Sequence, residues 1–313
     1  MDLIHAGLKS RFRFTLSFFI SLFVVQATLT PDRTFAVEVS RDYQEVKVFM
    51  SGLAAAHPAT TRLFDLGVAD SGEVIQGMAI SGGGSINNLV VATHHGNEYG
   101  STEVAKSVAL SLAQSPLKGQ TVYIIPVLNI VGYNARLRQE TNGNMSFDPN
   151  RDYPGPCGTE GPFKLKSTAA LAKFIDEKAI VSSATLHTHF PAVAYPWGFG
   201  TKDLSTPHDD LFKQLGAAAT VESHYAVGNS TEVIYPASGT FEDYAFWKHG
   251  VWSLLFELGY THNPTDKEVE ELLRVNVPGI RRMLEQAPTL RAEKHSFTGK
   301  CDFNALLRDL HNE

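Results

Sequence analysis

The chain has 313 residues, 43% of them apolar and 19% charged, enough to bury a large core and unlike disordered, collagen-like or low-complexity sequence. Lys and Arg number 27 against 33 Asp and Glu, a formal charge of −6. That is the wrong sign for a protein that gains affinity from phosphates, so nucleic acid is not expected as a partner.

Lys9, Arg11 and Arg13 precede an apolar run from Phe14 to Leu29, which Pro31 and the small-residue segment Thr34-Phe35-Ala36 follow. This is the pattern of a cleavable secretory signal. Its apolar run of 16 residues is shorter than the roughly 20 needed to cross a bilayer core, so no permanent membrane anchor is expected. Cleavage is expected after Ala36, with Ala27 as the alternative, which predicts a secreted or periplasmic protein. Residues 1–36 hold four basic and two acidic side chains, so the remaining stretch 37–313 carries −8. Cys157 and Cys301 are the only cysteines. Their pairing is open from sequence, an even count in an oxidising compartment favouring it, and two thiolates are too few for a finger-type zinc site.

Along the remaining chain, the spacing of Val46, Phe49, Met50, Leu53 and Ala54 predicts a helix within 43–63, which Pro58 ends or bends. Runs at 74–81, 88–93, 121–128, 180–186 and 251–257 are short, apolar and mostly rich in β-branched residues, as buried strands are. Helical periodicity separates several of them, at 102–113, 167–178 and 267–284. Strands alternating with helices predict a single α/β layered domain.

Three segments carry chemistry. His95-Gly96-Asn97-Glu98 follows a strand run and precedes a helix; a His and a Glu three apart at such a turn can point at one ion, beyond the carboxyl end of a strand where ligands gather in open α/β sheets. His94 is the competing imidazole. His187 ends the 180–186 run, with His189 two residues on. Two imidazoles and one carboxylate, with water in the fourth position, make a catalytic rather than a structural zinc site. Glu257 ends an apolar run, where desolvation raises a carboxyl toward the range useful to a general base. Each alone also reads as an ordinary buried or hydrogen-bonded side chain.

Taken together and in order, these segments resemble the zinc carboxypeptidase family (peptidase family M14). His95–Glu98 is similar to its first ligand pair, and Asp148-Pro149-Asn150-Arg151-Asp152 to its D-x-N-R segment. His187 with Tyr195-Pro196-Trp197-Gly198 resembles the third ligand strand and the Y-P-x-G beyond it. Ile234-Tyr235-Pro236-Ala237-Ser238-Gly239 resembles the mobile tyrosine loop, and Phe256-Glu257-Leu258 the general-base segment. The resemblance implies that the domain has a mixed central sheet of about eight strands with helices on both faces, that His95, Glu98 and His187 hold one Zn²⁺, and that Glu257 deprotonates its water. Arg138, with Arg136 as rival, would stabilise the oxyanion. Asn150 and Arg151 would grip a peptide's terminal carboxylate beneath Tyr235, and Asp148 would fix the His95 tautomer from behind.

Some residues depart from the pattern. Asn97 stands where digestive members carry an arginine, and Pro149 occupies the variable position of D-x-N-R. The Gly-Asn-Glu form of the ligand pair also resembles the succinylglutamate desuccinylase and aspartoacylase branch, zinc amidohydrolases of N-acyl amino acids, while the Tyr195–Gly198 and Tyr235 segments favour the peptidase side. Glu242, seven beyond Tyr235, falls where the digestive enzymes line their side-chain pocket, with Asp243 next to it. An acid there predicts basic or diaminopimelate-type C-terminal residues, as in the stem peptides of peptidoglycan. No G-x-S-x-G elbow or G-K-[ST] phosphate loop is present, which removes serine-hydrolase and nucleotide readings.

Overall fold

The computed structural model describes residues 39–157, 162–199, 205–293, 297 and 301; the expected signal at 1–36 lies outside them. The helices are α1 (Tyr43–Ala56), α2 (Tyr99–Gln114), α3 (Ile130–Ala135), α4 (Lys166–Glu177), α5 (Asp209–Ala219), α6 (Ser230–Val233), α7 (Phe241–His249) and α8 (Asp266–Gln286). The strands are β1 (Thr61–Val68), β2 (Val74–Ala92), β3 (Lys118–Ile125), the β4–β5 hairpin (Glu140–Asn142, Met145–Phe147), β6 (Ser182–His187), β7 (Ala192–Tyr195), β8 (Ala226–Asn229) and β9 (Trp252–Glu257). Among the described residues, no helix is long and apolar enough to cross a membrane.

The expected mixed sheet is present, and its strand count turns on one long element. The two runs expected at 74–81 and 88–93 form a single β2 that crosses the sheet twice. Its first arm meets β3 in descending register, Met78 opposite Ile124 down to Ser81 opposite Thr121; its second arm ascends, Ile86 opposite Gln120 up to Val91 opposite Ile125. β3 therefore lies between the arms, and the strand positions run β1, first arm, β3, second arm, β6, β9, β7, β8. The reversal is made by Gly82-Gly83-Gly84. Gly83 and Gly84 have φ of +81° and +86°, and a Cβ on Gly84 would lie 2.4 Å from the Gly119 carbonyl oxygen, so only glycine can turn the chain over the start of β3.

The second arm, β6 and β9 run parallel at the centre, and β9 meets β7 antiparallel. β6 is buried along its whole length, which accounts for its mostly small side chains, Ser182-Ser183-Ala184-Thr185, with no alternation of polar and apolar faces. Helix α1 packs on α2, α2 on α8 and α8 on α5, while α4 and α7 pack together and cover β1 and β9. Capping fixes the ends of the outer helices: Asp42 accepts from the Glu45 N–H at 3.0 Å, and Thr265 with Glu268 forms a capping box on α8, each such cap adding about 1 kcal/mol. Cys157 and Cys301 are joined by a disulfide across 144 positions of sequence.

β1 corrects the sequence expectation. The helix expected within 43–63 ends at Ala56, and Thr61–Val68 forms an antiparallel edge strand on β2, with Thr61 opposite Ile80.

Candidate active site

The parallel strands deliver their last residues to one end of the sheet. β2 ends at Ala92, and Thr93 turns the chain outward at φ 60°, a conformation that costs a β-branched residue on the order of 1–3 kcal/mol. Its buried hydroxyl is held 2.6 Å from that of Thr102 and 3.1 Å from the Pro126 carbonyl oxygen. The turn presents His95 and Glu98, and α2 starts immediately after, so the Glu98 carboxylate sits where a helix N-terminus favours negative charge. β6 ends at His187, and its ladder partner is Glu257, the last residue of β9.

His95, Glu98 and His187 are buried, and one ligating atom from each lies within 4.8 Å of the others. His95 Nδ1 is 2.8 Å from Glu98 Oε1 and 3.2 Å from His187 Nδ1, which is 3.0 Å from Glu98 Oε2. Burial alone would raise the Glu98 carboxyl, but the adjacent imidazoles outweigh it and hold it well below the usual carboxylate range. A donor set of two imidazole nitrogens and one carboxylate fits a zinc ion with an open fourth position. The far side of the His95 ring is fixed as such a ligand requires: its Nε2 is 2.9 Å from Asp148 Oδ1, whereas His187 Nε2 faces the Asn150 amide nitrogen at 3.5 Å, a donor and not an acceptor. The Thr188 backbone N–H donates to Glu98 Oε2 at 3.1 Å, a main-chain contact that no side-chain motif announces.

The two arginines are separated by their surroundings. Arg138 forks onto Asp148 Oδ2 through Nε at 3.0 Å and Nη2 at 2.7 Å, and its Nη1 lies 3.1 Å from His95 Nδ1. Arg136 points elsewhere, donating to the Ser40 and Arg41 carbonyls and lying over the Tyr99 and Tyr133 rings. His94 also turns away from the ligand set: its Nε2 meets the Tyr153 hydroxyl at 3.0 Å, and its ring stacks on His187 with centroids 5.5 Å apart. His189 lies tilted against the His262 ring with centroids 4.4 Å apart and does not join the three-residue cluster.

Asp148 accepts from the Asn150 N–H at 2.8 Å, capping the single 3₁₀ turn Pro149–Arg151. Pro149 stands at its first position, where a missing N–H costs nothing. Arg151 Nη2 donates to the Tyr235 hydroxyl at 3.4 Å, and the ring of that half-exposed tyrosine lies 5.9 Å from the guanidinium. The buried Asn150 accepts the Phe241 N–H on its Oδ1 at 2.9 Å, which leaves its amide nitrogen as the polar group beside His187.

Three acids complete the site. Glu257 is partly exposed, yet its Oε2 is buried without a hydrogen-bond partner among the described residues; burial first, and then the charge of Glu98, raises its carboxyl well above the usual range. Asp243 is consumed structurally, accepting from the Gly198 N–H at 3.0 Å and the Phe199 N–H at 2.9 Å. Glu242, buried in the first turn of α7, keeps Oε1 without a partner among the described residues, and its charge reaches Glu257.

Comparison with known proteins follows the same residues. A family model for zinc carboxypeptidase matches residues 46–279. Carboxypeptidase O of Bos taurus is 32% identical over 162 residues, 41% of this chain and 43% of that protein, so the matched stretch spans less than half of that relative. Carboxypeptidase B of Astacus astacus is 25% identical over 265 residues, 71% of this chain and 87% of that protein. Bovine thrombin-activatable fibrinolysis inhibitor, solved with tick carboxypeptidase inhibitor, superposes with a TM-score of 0.73 at 15% identity over 80% of this chain and 98% of that one. Carboxypeptidase A of Helicoverpa armigera superposes at 0.70 with 18% identity, over 80% of this chain and 74% of that one; at such identities the likeness is one of fold. With the family model covering well over half of the residues and the ligand set assembled, the chain belongs to the zinc carboxypeptidase family.

Proposed function

We propose that the protein is a metallocarboxypeptidase that hydrolyses the peptide bond beside a free C-terminal carboxylate. One observation carries the reading: His95, Glu98 and His187 converge within 4.8 Å directly beside Glu257, a carboxyl at the same strand ends. His95, Glu98 and His187 would hold one zinc ion, which would supply Lewis acidity and lower the pKa of water at the site. Glu257, held in a desolvated position, accepts the proton of the attacking water and returns it to the leaving amine. Arg138, oriented by its fork onto Asp148, meets the charge that grows on the scissile carbonyl oxygen. Asn150 and Arg151 receive the substrate's α-carboxylate, and Tyr235, already within reach of Arg151, covers the bound residue.

The side-chain preference follows from Glu242. Asp243 is satisfied by two backbone N–H groups, whereas Glu242 keeps a buried oxygen without a partner among the described residues, an arrangement that a cationic side chain of the substrate completes. Peptides ending in Lys, Arg or diaminopimelate, including cell-wall stem peptides, are the proposed substrates. The Cys157–Cys301 disulfide supports work in an oxidising compartment, secreted or periplasmic. Metal analysis of the purified protein, with rates on N-blocked peptides ending in Lys, Phe and Glu before and after chelation, tests both levels. Chelator-sensitive cleavage with Lys preferred is the expected result. No cleavage of peptides but cleavage of N-acyl amino acids would move the chain to the deacylase chemistry, and a preference for Phe would remove the role of Glu242.

A further inference from the structure

Asn129 belongs to no motif, yet its side chain joins the two loops that the proposed reaction needs in register. It is fully buried, between β3 and α3. Its Oδ1 accepts from the Gly132 N–H at 2.8 Å and so caps α3, while its Nδ2 donates to the carbonyl oxygens of both His94 and Arg138, each at 3.2 Å. Its backbone N–H donates to the Thr93 carbonyl at 3.0 Å, and its own carbonyl accepts from the Tyr133 N–H. The residue thus spends both amide hydrogens on carbonyls belonging to two functional segments: the turn that carries His95 and Glu98, and the strand-leading segment that carries Arg138.

The contact closes a ring. Arg138 binds Asp148 through its guanidinium, Asp148 binds His95, and the main chains of His94 and Arg138 return to one another through Asn129, with the Gly96 N–H donating directly to the Arg138 carbonyl at 3.3 Å. A Cβ on Gly96 would lie 1.9 Å from the Gly132 carbonyl carbon, so the ligand turn also packs directly against α3, the helix that Asn129 caps. A carbonyl pair bridged by one carboxamide has a fixed separation, because the amide's two N–H vectors are rigid.

We infer that Asn129 is a positioning residue: it sets the spacing between the metal-ligand turn and the Arg138 guanidinium, and so acts on the transition state through Arg138. The inference rests on the proposed peptidase reading. It is tested by a double-mutant cycle on the zinc-loaded enzyme with a preferred peptide. Asn129→Ser keeps a capping oxygen for Gly132 but is too short to bridge both carbonyls. Expected is a fall in kcat of about tenfold or more with KM changed less than about threefold and zinc stoichiometry retained. In an Arg138→Ala background the same substitution should change kcat less than twofold. A merely structural role gives a lower melting midpoint with kcat per folded, metal-loaded molecule unchanged, or losses that multiply in the double variant; either result overturns the inference. Should Asn129→Ser fold poorly, Asn129→Asp, which keeps the side-chain volume and the capping oxygen, is read in the same cycle. An inactive wild-type enzyme with zinc bound would instead reject the peptidase reading, so the two failures are told apart.

Discussion

The proposed metal-ligand side of the site and its proposed substrate side are built on opposite terms. On the first, both nitrogens of His95, both oxygens of Glu98 and both oxygens of Asp148 have partners within the fold. On the second, Glu242 Oε1 and Glu257 Oε2 are buried without a hydrogen-bond partner among the described residues, and Tyr235 is half exposed. Leaving a buried carboxylate oxygen unpaired costs on the order of 1–3 kcal/mol or more. The ligand turn is assembled before any substrate arrives, and the substrate side retains groups that water or substrate must complete.

The contrast is broken most severely at Glu257. Glu257→Gln should lower kcat by about 10²- to 10⁴-fold, the range of a lost general base, while metal content by mass spectrometry or atomic absorption stays at one ion per chain; metal loss along with activity would place Glu257 among the ligand-supporting groups instead. Glu242→Gln comes next. The ratio of kcat/KM for Lys-terminated over Phe-terminated peptides should fall by about thirtyfold or more, the lower end of the 2–5 kcal/mol lost when one partner of a buried charge pair is removed. A uniform fall on both peptides would show that Glu242 supports the pocket rather than reads it. On the metal side, Asp148→Ala removes the acceptor of His95 Nε2, and zinc dissociation measured against a competing chelator should become 10- to 100-fold easier, about the effect of deleting such a partner. Unchanged affinity would mean that the ligand turn is held by Asn129 and Thr188 alone.

Legibility in the sequence follows the same division. His95, Glu98, His187 and Glu257 could be placed at strand ends because the central strands are buried on both sides and therefore read as apolar runs. The shorter elements near the substrate pocket gave no such signal. β7 and β8 have four residues each, too few to establish a period. α7 buries its first six residues, Phe241 to Phe246, on all sides, so its sequence carries no amphipathic stripe, and Glu242 could be assigned only by counting from Tyr235. Arg138 is set ahead of its rival Arg136 only through the family resemblance, because the physical choice depends on which guanidinium faces Asp148 and which lies over Tyr99 and Tyr133. Asn129 was invisible for a related reason: its partners are main-chain carbonyls, which every residue possesses.

An unpaired buried oxygen does not by itself mark a substrate site, and Glu140 gives the sharpest test. Its Oε1 is buried and unpartnered among the described residues, and its Oε2 accepts from the Ser167 hydroxyl at 2.5 Å, but it lies in the β4–β5 hairpin and is absent from the ligand set. Burial, with smaller contributions from the charges of Asp70 and Asp152, pushes its carboxyl up to about 7 from 4.5. The folded protein therefore keeps this proton over a range in which the unfolded chain has released it. Stability contributed by Glu140 is present below about pH 4.5, falls as the pH rises toward 7, and is constant above that. With 1.36 kcal/mol per pKa unit, the whole change is on the order of 3 kcal/mol. Glu140→Gln keeps the Ser167 contact and does not titrate, so the difference in unfolding free energy between the two proteins, measured by denaturant titration from pH 5 to 8, should move in the variant's favour with rising pH while kcat/KM is unchanged. Parallel stability curves would show that Glu140 is ionised in the fold, and a loss of activity would bring this acid into the same class as Glu242 and Glu257.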